Sequence, residues 1–174
     1  MECVLYTRRP HAARHNRAAP LARAAGGHNA ERARMECTIN WMPATGMGFV
    51  AETGSGHLLT MDGAPDGGGR NLAPRPMETV LAGAGACSAY DVVLILKRGR
   101  HDVRGCQVRV QAERADSDPK VFTRIHAHFV VTGRGLNAAA VERAITLSHE
   151  KYCSATAMLA KTAQFTHSHD IVEG

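Results

Sequence analysis

The chain of 174 residues is poor in aromatics, with four Phe, three Tyr and one Trp making 5% of the sequence. Stacking platforms for single-stranded nucleic acid are therefore scarce. No Cys-x-x-Cys occurs, and the five cysteines (Cys3, Cys37, Cys87, Cys106, Cys153) are widely and irregularly spaced. This argues against a zinc ribbon and against a disulfide scaffold, and it fits a reduced, cytoplasmic thiol protein. No apolar run approaches the ~20 residues of a membrane span, so no membrane partner is expected. No GxxxxGK[ST] accompanies the three consecutive glycines Gly67, Gly68 and Gly69, which removes the usual phosphate-loop reading. Most of the chain also lacks a basic excess. The formal charge of +5 sits wholly in residues 1–34, with seven Arg against two Glu, and residues 35–174 are neutral. A nucleic-acid partner for the body is not expected.

Residues 1–34 are Arg- and Ala-rich without the apolar core of a secretory signal, and read as a disordered tail. The triplet Met1-Glu2-Cys3 recurs as Met35-Glu36-Cys37. That repeat raises Met35 as an alternative start, which the intact mass of the native protein would test. Residues 35–174 are then the folded domain.

Three β-like runs open that domain, over 36–42, 48–52 and 57–62, with turn chemistry at Pro43-Ala44-Thr45-Gly46 and Thr53-Gly54-Ser55-Gly56. They predict an antiparallel meander in which Cys37, Ile39 and Trp41 share a packing face. After a Gly-rich loop over 63–75, Pro76 opens a helix that ends at Lys97-Arg98 before Gly99. Asp91 is its one charge between Val80 and Leu96. A helix so apolar around its circumference is expected to be buried on most sides, with a second subunit helping to cover it. The small residues Gly83, Ala84, Gly85 and Ala86 let another backbone approach. Two alternating strands over 106–114 and 121–132 follow, then a helix from Ala138 capped by Asn137, a break near Cys153, a short helix over 154–163 and a closing strand over 164–172. The order is α+β, with long helices on antiparallel sheet.

Two thiols stand apart. Cys87 lies mid-helix among residues without bulk, and Cys153 lies at a helix junction, where the amides of the next turn favour a thiolate. Cys37 and Cys106 fall on apolar strand faces, where a thiol is usually inert. His149 and Glu150, a turn before Cys153, are within reach as a base or a solvated helix end. The pairs His126/His128 and His167/His169 put two rings on one strand face, as a metal site or a solvated polar face.

The run Met61-Asp62-Gly63, the loop, Pro74-Arg75-Pro76-Met77-Glu78, the small-residue stretch and Cys87-Ser88, with the later Ser148-His149-Glu150-Lys151-Tyr152-Cys153-Ser154, resembles the OsmC/Ohr family in its OsmC-like branch. The likeness covers about residues 36–172. It implies an OsmC-like α+β fold, with antiparallel sheets packed on long central helices in an intertwined homodimer. It also implies a thiol-dependent peroxidase that reduces organic hydroperoxides with a dithiol reductant, in oxidative or osmotic stress defence. Cys87 would be peroxidatic, Cys153 resolving and Glu78 catalytic, without cofactor or metal. The other class of function for such a dimer is binding of a hydrophobic small molecule in an apolar interface pocket beside Cys87. Three departures stand out. No Arg or Lys lies between Cys37 and Gly69, where the peroxidase branch carries an Arg. Met77 separates Pro76 from Glu78, and Ser154 follows Cys153 where Pro is usual. Without the Arg, the reactive thiol is expected to stay near its ordinary ~8.5.

Overall fold

The computed structural model describes residues 35–174. The expected tail over 1–34 lies outside the described residues. Cys37–Gly174 form one compact unit.

The meander forms as its alternation and turns predict. Strands β1 (Cys37–Met42), β2 (Gly48–Thr53) and β3 (Leu58–Met61) pair antiparallel in that order. The expected burial of Cys37 is corrected. β1 is exposed throughout, Cys37 included, because the three strands pair among themselves and, among the described residues, no element covers Ile39, Trp41 or Leu58. Two of the three glycines of the following loop have a conformational or packing role. Gly68 is left-handed at φ +85°, and a Cβ on Gly69 would sit 2.0 Å from the Gly63 carbonyl oxygen. Through that close approach the loop wraps buried Asp62, whose carboxylate accepts the N–H groups of Gly63, Arg70 and Leu72 at 2.7–3.0 Å.

Helix α1 runs Pro76–Arg98, about 35 Å at 1.5 Å per residue. Its start is fixed by Pro76 and by Glu78, whose Oε2 accepts the Arg75 N–H at 2.9 Å. The residues Ala84, Ser88, Val92 and Leu96, spaced by four, are its buried stripe. Gly85 lets α1 approach strand β4 (Asp102–Arg114), since a Cβ there would lie 2.9 Å from Val110 Cγ2. The wider burial expected of α1 is not reached within one chain, where Val80 is 45% and Tyr90 68% exposed. Its apolar length also corrects the reading that no run of span length exists. By length and composition alone α1 could cross a bilayer, with a mean hydropathy of 1.7 in its most apolar window. Its buried stripe packs on β4 and on helix α2 (Ala138–Leu147).

β4 pairs antiparallel with β5 (Phe122–Arg134), and β6 (Gln164–Glu173) lies on the other side of β5. The expected all-antiparallel sheet is corrected here, because β6 runs parallel to β5. Parallel neighbours need a crossover. α2, the π turn Ser148–Tyr152 and helix α3 (Ser154–Leu159) supply it. Asn137 caps α2 as predicted, its side chain accepting the Ala140 N–H at 3.1 Å. Val141, Ala144 and Ile145 face inward onto Val92, Leu96, Phe129 and Val131 as one hydrophobic core.

Candidate active site

The helical crossover carries Cys153 back over α1. The π turn ends there with Cys153 extended (φ −74°, ψ 98°), so that its side chain caps α3. Its Sγ accepts the Thr156 hydroxyl at 2.9 Å and the Thr156 N–H at 3.4 Å. The amide contact that the helix junction predicted is thus present. Cys153 itself is buried.

Cys87 lies half-buried in the middle of α1, one turn before Asp91. The sulfurs of Cys87 and Cys153 and a carboxylate oxygen of Asp91 all lie within 4.8 Å of one another. Both thiols are free. The Cys87 thiol is pushed up from its ordinary value, first by burial and then by its hydrogen bond to Cys153. The negative charge of Asp91 acts the same way, and the Ala155 N–H acts against it. The pKa expected to stay ordinary is therefore raised, because desolvation adds to the missing opposite charge.

Asp91 is the site residue that motif reading passed over. Its signal was present as the one charge on an apolar helix, four residues after Cys87. Its Oδ2 lies 3.2 Å from Ser148 Oγ, which lies 3.0 Å from Ser88 Oγ. A carboxylate accepts only, so Ser148 donates to Asp91 and Ser88 donates to Ser148. This buried chain joins α1 to the π turn at the point where the two thiols meet.

Glu78 is elsewhere. It caps the start of α1 and is exposed, about 13 Å along the helix axis from Cys87. His149 turns to β6, where it stacks on Phe165 at 4.8 Å and meets His167 edge-on at 6.2 Å. Its Nδ1 is buried without a hydrogen-bond partner, and burial lowers its pKa. Glu150 is exposed. The paired histidines make polar networks. Ser168 Oγ lies 2.9 Å from both His126 Nε2 and His128 Nδ1, while Glu142 reaches His167 at 3.3 Å and His169 at 3.0 Å. Among the described residues, the cluster with metal-ligand spacing is Cys87, Asp91 and Cys153. A recess of about 440 Å³ opens among Gln111, Glu113, Arg124, His126, Gln164 and Thr166, and neither thiol lines it.

Residues 67–168 match the family described as OsmC-like protein. The chain is 49% identical over 138 residues to Protein YhfA of Escherichia coli K12, covering 79% of this chain and 98% of YhfA. It resembles the crystal structure of a hypothetical protein from Aquifex aeolicus VF5 at 27% identity and a TM-score of 0.69, covering 81% of this chain and 98% of that one. An organic hydroperoxide resistance protein OsmC from Legionella pneumophila shares the fold, with a TM-score of 0.59 at 16% identity over 79% of this chain and 96% of that one.

Proposed function

The chain belongs to the OsmC family, and on that premise we propose that it is a thiol-dependent peroxidase that reduces organic hydroperoxides through Cys87 and Cys153. One observation carries the reading. Two free thiols, 66 positions apart in the chain, lie with their sulfurs within 4.8 Å in a half-buried site. A family member's name, organic hydroperoxide resistance protein, supports the substrate class.

The chemistry follows from that pair. The Cys87 thiolate attacks the distal oxygen of ROOH, the O–O bond breaks, the leaving alkoxide takes a proton from solvent, and the products are Cys87 sulfenic acid and the alcohol ROH. The Cys153 thiolate then attacks the sulfenic sulfur, giving a disulfide and releasing water. An external dithiol reduces the bridge by two exchange steps and leaves as its own disulfide. Cys87 is the attacking sulfur because it is the more exposed of the two. Cys153, buried and held by Thr156, is the resolving one. Glu78 acts as a positioning residue that fixes where α1 begins and hence the register of Cys87. A second copy of the chain completes the assembly by covering the exposed apolar residues of β1, β3 and α1. The enzyme works in the reducing cytoplasm, in defence against oxidative or osmotic stress.

Peroxide consumption tests this. With cumene hydroperoxide and dihydrolipoamide, the wild type turns over and Cys87→Ser does not, while Cys153→Ser accumulates a sulfenic acid that dimedone traps. Wild-type turnover no higher than that of Cys87→Ser removes the reading.

A further inference from the structure

Cys87, Cys153 and Asp91 converge within 4.8 Å in a half-buried space, each offering one ligand atom. Such a convergence of donors can hold a cation. The donor set states which kind. Two sulfurs with one carboxylate oxygen select a thiophilic metal over Mg²⁺ or Ca²⁺. Three protein ligands with a fourth position open is an ordinary zinc arrangement.

Distances agree. Two sulfurs at about 2.3 Å from a tetrahedral zinc stand about 3.8 Å apart. The observed sulfurs, within 4.8 Å of one another, stand near that spacing. The outer partners are also in place. Thr156 donates twice to Cys153 Sγ, and Ser148 donates to Asp91 Oδ2. Such groups orient ligands and raise metal affinity.

We propose that the reduced Cys87–Asp91–Cys153 cluster binds one Zn²⁺-class thiophilic divalent cation per chain. Two thiols lose their protons to solvent, two S–metal bonds and one O–metal bond form, and no oxidation state changes. The disulfide form lacks both sulfur ligands, so metal binding and oxidation of this pair exclude each other. The site goes beyond the peroxidase reading and does not depend on it, since it is assayed without peroxide.

Full-length protein, stripped with chelator and kept reduced with a phosphine, is titrated with Co²⁺ and followed by thiolate-to-cobalt charge-transfer absorption. The expected result is saturation at one Co²⁺ per chain, displacement by one Zn²⁺, and no band after diamide oxidation. Ser148→Ala and Asp91→Asn each weaken binding about tenfold or more, and Cys37→Ser and Cys106→Ser leave it unchanged. On the wild type, Zn²⁺ protects Cys87 and Cys153 but not Cys37 from N-ethylmaleimide, read by peptide mass, so the result does not depend on the folding of a variant. Absence of a charge-transfer band in reduced wild type, wild-type affinity in Asp91→Asn, or equal alkylation of Cys87 with and without Zn²⁺ overturns the proposal.

Discussion

At the residue scale, Cys87 is held by opposing influences. Burial, Cys153 and the charge of Asp91 oppose its thiolate, and the Ala155 N–H favours it. Its reaction with hydroperoxide is therefore expected to speed up from pH 7 to above ~8.5 without levelling in the ordinary thiol range. Stopped-flow rates of dimedone-trapped sulfenate against pH measure this, and a plateau below pH 8 would contradict it. Asp62 and His149 are expected to contribute to acid stability. Both have folded pKa values below their unfolded ones, Asp62 chiefly through the Leu72 N–H and His149 through burial. A depressed folded pKa contributes stability above the unfolded value, and that stability is lost as pH falls through the folded one. Thermal midpoints are thus expected to decline below ~6.5 as His149 is forced to charge, and again below ~3.9 as Asp62 is protonated. His149→Phe, which keeps the stacking on Phe165, should flatten the first decline, and Asp62→Asn the second. An unchanged profile in His149→Phe would show that its burial does not control that limb.

At the element scale, α1 does two jobs with one sequence. Its stripe of Ala84, Ser88, Val92 and Leu96 anchors it on the sheet and α2. Cys87 and Asp91, one residue before Ser88 and Val92, look toward the crossover. Leu96→Ala removes a 1%-exposed side chain from the main core and is expected to cost about 2–5 kcal/mol in urea unfolding. A loss under 1 kcal/mol would mean that the stripe does not carry the helix. The capping of α2 by Asn137 and its inward stripe were legible in the sequence, because both depend on local spacing. The parallel pairing of β6 was not. It depends on where the crossover delivers the chain, and the π turn that ends α2 leaves no compositional mark.

At the scale of the whole molecule, the described residues leave large apolar side chains exposed. Ile39 is 52% exposed, Leu58 70% and Tyr90 68%. These residues lie on β1, β3 and α1. Light scattering at micromolar concentration is expected to give a dimer, and Ile39→Asp or Tyr90→Asp to shift it toward the monomer. A monomeric wild type would remove the proposed second copy.

The sequence by itself determined most of the elements and set two thiols apart from the rest. Helix caps, turn residues and alternation are local, and the placing of Cys87 and Cys153 at a bare helix middle and a helix junction is readable from their neighbours. The tertiary structure alone decided what surrounds them. Asp91 joins the thiols because the crossover returns Ser148 and Cys153 to the same turn of α1, across about sixty residues. Glu78 is set apart from them by straight helix geometry. Cys37 is exposed because, among the described residues, no element packs over the faces of β1. Contacts between residues distant in sequence depend on how layers stack, and no spacing along the chain encodes that.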